Sequence, residues 1–235
     1  MTLLNTLLQI TTTGTEETVA QVERESLTLF DLITKGGPIM IPLFVLSIIA
    51  VYIIVERLLA LKKSDKDPEA FMDRIRDLVY RGDISAAQTL CRSFDTPFSR
   101  MVEKGITKIG KPLSNIEASI ENVGRIEVYR IEKNLSSLAT ISGAAPMIGF
   151  LGTVIGMIQA FISIAQVEGT ISPKLLSEGI YQAMITTVAG LVVGIIAYFG
   201  YNYLVGKVQK IIHKMEYTSI EFIELLQEPN KTNAL

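Results

Sequence analysis

The sequence predicts an all-α integral membrane protein. It has three transmembrane helices, the second and third extended into a cytoplasmic helical bundle, with a helical cytoplasmic loop domain beside them. Three observations carry this. No charged residue falls between Asn134 and Val167, and none falls between Gly179 and Gly206. A third apolar run, PIMIPLFVLSIIAVYIIV, covers Pro38 to Val55. A hydrocarbon core of about 30 Å needs roughly 20 helical residues, and three such runs in one chain are rare in soluble proteins.

Composition agrees. Hydrophobic residues make up 49% of the chain and mean hydropathy is +0.37, yet 20% of residues are charged. That mixture implies a bilayer-embedded protein with a substantial water-facing part. Net charge is −2, without a run of lysine or arginine, so nucleic acid is not an expected partner. The single cysteine, Cys91, excludes a disulfide framework within the chain, and no metal-ligand spacing is present. His213 sits in a polar tail and reads as solvated. No nucleophile–base constellation and no phosphate loop occur, so neither an enzyme nor a cofactor is expected.

The elements follow in order. Residues 1–35 form an N-terminal segment. Its opening MTLLNTLLQI lacks a basic lead and makes a poor signal peptide. TEETVAQVERESLTLFDLI within it suits a surface helix. The first span, 36–61, opens at Gly36-Gly37-Pro38 and passes the charged pair Glu56–Arg57. Residues 62–113 read as short helices. Asp67 and Pro68 open one that Gly82 ends, and Asp83 caps the next. Asp95 or Thr96 precedes Pro97 at the start of a third, closed by Gly110. Ser114 and Glu117 have the spacing of a capping box. From there one helix is expected to run through 114–165, about 75 Å, carrying the second span and kinked at Pro146. A short connection, 166–174, leads to the third span, 175–206. The third span continues into the C-terminal helix and tail, 207–235, where Val208, Ile211, Met215, Ile220 and Ile223 recur at helical spacing.

Basic residues set the expected orientation. The segment from Lys62 to Lys133 and the tail after Gly206 are rich in lysine and arginine. The N-terminal segment has only Arg24 and Lys35, and the short connection only Lys174. The positive-inside rule puts the loop and C-terminus in the cytoplasm, and the N-terminus and connection on the outer side.

The last two spans are not simply greasy. Gly152-Thr-Val-Ile-Gly156 and Gly190-Leu-Val-Val-Gly194 are small-xxx-small pairs, and Pro146 and Gly149 precede the first. Such pairs let helix backbones approach closely, and here they point to a homo-oligomer in the lipid bilayer.

Several stretches resemble the MotA/TolQ/ExbB proton-channel family. KGGPIMIPLFVLSIIAVYIIVER is similar to its first span, and GDISAAQTLC to its cytoplasmic helix. APMIGFLGTVIGMIQAFISIA and GIYQAMITTVAGLVVGIIAYFGYN are similar to its second and third spans. The likeness covers about Lys35 to Tyr203, and the layout is nearest to ExbB. The resemblance implies a homopentamer in the bacterial inner membrane. Its second and third spans would ring a pore holding the single membrane helices of an ExbD-type partner, each with an aspartate. Proton flow would drive a molecular motor that works on outer-membrane transport through a TonB-type protein. By the same resemblance Thr153 and Thr187 match pore-lining threonines, and Gln182 is expected to line the pore with them.

One position departs from the pattern. Where several relatives carry a glutamate in the third span, this chain has Gln182. An amide hydrogen-bonds but exchanges no proton near neutral pH. A proton-carrying role is thereby in doubt for this subunit but not for a partner's aspartate. Glu178, one turn earlier, is either a carboxylate at the pore mouth or an interfacial side chain. Two alternatives stay open: a TolQ-type subunit serving envelope maintenance, and a non-conducting membrane scaffold.

Overall fold

The structure, a computed structural model, describes residues 35–166 and 173–227. The surface helix expected near the N-terminus, most of the connection and the end of the tail lie outside the described residues. Among the described residues seven helices run in order: α1 Met40–Ser64, α2 Glu69–Tyr80, α3 Ile84–Phe94, α4 Pro97–Ile106, α5 Leu113–Glu132, α6 Leu135–Ala165 and α7 Pro173–Gln227. The described residues are all-helical, and three stretches of them are long and apolar enough to cross a membrane.

Local sequence explains most boundaries. The chain enters α1 through Gly37, whose φ of +71° suits a residue without a Cβ, and the Met40 N–H donates to the Gly37 carbonyl at 3.1 Å. The Glu69 N–H donates to Asp67 Oδ1 at 3.1 Å, so Asp67 satisfies one orphan donor of α2. Gly82, φ +76°, ends α2 and hands the chain to Asp83, whose Oδ1 accepts from the Ala86 N–H at 3.0 Å. At α4 the cap is Thr96, in a reciprocal box with Ser99.

Two expectations need correction. The helix expected over 114–165 is divided at Lys133–Asn134, where Asn134 takes φ +65°. Asparagine is one of the few residues that tolerates this region, so the break is encoded locally. The Ser114–Glu117 capping box does not form. Helix α5 begins at Leu113, and the Pro112 carbonyl accepts from the Asn115 N–H at 2.9 Å.

The third span and the C-terminal helix are one rod. Helix α7 has 55 residues, about 80 Å. It packs against α6 and α1 at its membrane end and against α2, α4 and α5 farther on. One apolar core follows it from Ala50 and Ile53 of α1 to Phe222 and Leu225 at its far end. Within the water-facing part the Phe71 ring stands 5.0 Å from Phe94 and 5.3 Å from Phe98, roofing α2–α4. Cys91 is buried in this core, and burial pushes its thiol up to about 12.

Candidate functional site

Helices α6 and α7 meet backbone to backbone along a seam that glycine makes possible. A Cβ on Gly149 would stand 2.8 Å from the Thr186 carbonyl oxygen and 3.1 Å from Gly190 Cα. One on Gly190 would stand 2.6 Å from the Ala145 carbonyl oxygen. A Cβ on Gly156 would stand 3.1 Å from Ala183, one on Gly194 would stand 2.6 Å from the Pro146 ring, and one on Gly152 would run into the Thr186 side chain. The opposing atoms at Gly149 and Gly190 are backbone, which cannot turn aside. The small residues of both spans therefore meet within one chain.

Thr187 crosses this seam. Its hydroxyl donates to the Gly149 carbonyl on α6 at 3.3 Å, and the side chain is half-buried. Thr153, one turn beyond Gly149, donates to the Phe150 carbonyl of its own helix at 2.6 Å. Thr186 is buried and donates to Ala183 at 2.9 Å. Sequence reasoning missed Thr186. Its only signal was the four-residue step that puts it on one face with Gly190 and Gly194.

Gln182 lies elsewhere. Its amide nitrogen packs on Gly37 at the start of α1. Five residues separate Gln182 from Thr187, which sets them about 140° apart around α7. The structure thus brings Thr187 to the Gly149–Thr153 turn of α6 and sends Gln182 to the α1 side. Glu178 is exposed near the start of α7.

Outside the seam both helices present apolar side chains. On α6 Met147, Phe150 and Phe161 are 73%, 66% and 62% exposed, and on α7 Met184 and Val188 are 64% and 61% exposed. In a water-filled setting such faces would be a liability; in a membrane they meet lipid, another copy or a partner helix.

A charged network lies where the water-facing end of α1 meets α4 and α5. Arg57, 7% exposed, donates to the Arg130 carbonyl at 3.2 Å and pairs with Glu56. Glu127, 2% exposed, accepts from Arg100 at 2.6 Å and Arg130 at 2.7 Å. Arg100 also reaches Asp95, whose carboxyl Lys63 and Arg100 hold below the usual carboxylate range. The network ties the ends of α1, α4 and α5 beside the Lys133–Asn134 break. In the sequence only the Glu56–Arg57 interruption of an apolar run hinted at it.

These features define a multi-pass helical membrane protein. Residues 93–217 match the model of the MotA/TolQ/ExbB proton channel family, and the chain belongs to that family. It is a family of proton channels, not of enzymes. An ExbB homologue of Methanothermobacter thermautotrophicus is 28% identical over 80% of this chain and 67% of its own length. The biopolymer transport protein ExbB of Neisseria meningitidis serogroup A is 28% identical over 72% of this chain and 84% of its own. That of Aquifex aeolicus is 36% identical over 34% of this chain and 53% of its own.

Proposed function

We propose that the chain is an ExbB-type stator subunit that couples proton motive force to work outside its membrane. Copies assemble as a ring, with five the expected number. The ring encloses a single-span partner of ExbD type, and a TonB-type protein carries the work to outer-membrane transport. The membrane is the inner membrane of a bacterium, with the loop and C-terminal helix in the cytoplasm. The observation that carries this is the apolar, charge-free surface of α6 and of residues 179–206 of α7, outside a seam that is already closed. A ring of such surfaces suits a membrane helix with one acidic residue, because the partner then holds the only titrating group at that depth.

We assign Thr153 and Thr187 to the pore wall; Thr187 bonds across the seam, about 140° around α7 from Gln182. Gln182 serves as packing against the α1 turn, and Glu178 stands at the mouth. A TolQ-type role uses the same parts. Co-purification with a candidate partner, followed by mass measurement of the intact complex, tests the assignment. The expected species is a ring of five copies enclosing partner chains. A stable monomer in mild detergent, with no partner retained, would sink it.

A further inference from the structure

We infer that the groove between the Ser64 end of α1 and the middle of α7 binds the headgroup of an anionic phospholipid. The hollow is about 310 Å³, and its walls include Leu58, Leu59, Lys62, Asp65, Tyr203 and Lys207. Leu58 and Leu59 belong to the last apolar turn of a membrane-crossing helix and are 36% and 66% exposed. Following the Glu56–Arg57 pair, this wall therefore lies at the edge of the bilayer, level with the headgroups. Lys62 follows one turn on, and across the groove Lys207 Nζ stands 5.8 Å from the centre of the Tyr203 ring. Tyrosine prefers the headgroup layer, where its ring stays apolar and its hydroxyl stays wet.

The charge is unbalanced in the right direction. Asp65 is the one carboxylate in the groove, and Lys214 already binds it while donating to the Lys66 carbonyl at 3.0 Å. Lys214 first, with Lys210 and Lys207, holds the Asp65 carboxyl below its usual range against the opposing effect of burial. Among the described residues Lys62, Lys207 and Lys210 form no ion pair. The next hollow along α7 mixes Lys66 and Lys210 with Asp67 and Glu69, so the positive excess belongs to the membrane end. A soluble phosphate would leave the leucine wall unused. A phospholipid fills both walls, with its acyl chain along Leu58 and Leu59 and its phosphate between Lys62 and Lys207.

The test uses the full chain in its native assembly, purified in mild detergent and supplied with phosphatidylglycerol or phosphatidylcholine. Bound lipid is counted by native mass spectrometry. Phosphatidylglycerol is expected to be retained about tenfold better than phosphatidylcholine, and excess inorganic phosphate is expected not to strip it. Lys62→Gln with Lys207→Gln should lower retention by about thirtyfold, the effect of two lysines beside a lipid phosphate. Lys62→Arg with Lys207→Arg should preserve it. Equal retention of the two lipids, unchanged retention in the glutamine variant, or complete displacement by inorganic phosphate would each overturn the inference. Should the glutamine variant fail to fold, the two-lipid comparison on the unaltered protein still decides.

Discussion

Thr153 and Thr187 have different partners, and that difference sets different expectations. Thr153 bonds within its own turn, so Thr153→Val removes a hydroxyl without loosening the seam. Thr187 bonds across the seam, so Thr187→Val should also cost about 0.5–1 kcal/mol of stability. Both changes keep side-chain shape. Each is expected to lower proton-driven transport, the double change more so, while the complex remains assembled. Gln182→Leu should be milder, because the amide packs on Gly37 rather than beside Thr187. Transport at the starting level in both threonine variants, assayed in cells with matched protein amounts, would refute the pore-wall assignment. The identities of the threonines were legible in the sequence through a resemblance. Their partners were not, because a hydroxyl's acceptor across two helices depends on rotation about each helix axis, which a charge-free stretch does not fix.

At the scale of helices, the glycine pattern needs a different consequence from the one that small-xxx-small pairs first suggest. Gly149, Gly152, Gly156, Gly190 and Gly194 face the partner helix of the same chain. Gly190→Leu would drive a side chain into the Ala145 carbonyl and the Gly149 backbone, at a cost of roughly 3 kcal/mol or more. It should therefore lower the thermal midpoint of the chain itself, with loss of assembly following from that. A Gly190→Leu variant with an unchanged midpoint would show that this seam does not carry the fold. Helix existence was readable because apolar length and caps such as Asp83 and Thr96 are local signals. The break at Asn134 was not, since Lys133–Asn134 sits between two helical patterns without a proline or glycine to mark it. Conversely, Ser114–Glu117 matched a cap by spacing alone, and Pro112 supplied the start two residues earlier.

For the whole molecule, three apolar helices of membrane-crossing length were legible in the sequence, because charge-free length is a strong signal. How they join the helices of the loop was not. The ion network of Arg57, Arg100 and Arg130 around the buried Glu127, together with the unbroken α7, links the membrane spans to the loop domain. Such a link suits a subunit that resists or transmits force, in line with the proposed stator role. We propose further that the ring itself supplies shape and hydrogen bonds, while a partner aspartate carries the proton. Proton flux into liposomes, driven by a potassium diffusion potential, measures this directly. The ring alone should pass few protons, and the ring reconstituted with an aspartate-bearing single-span partner should pass many. Strong flux through the ring alone, or flux that the partner leaves unchanged, would contradict it.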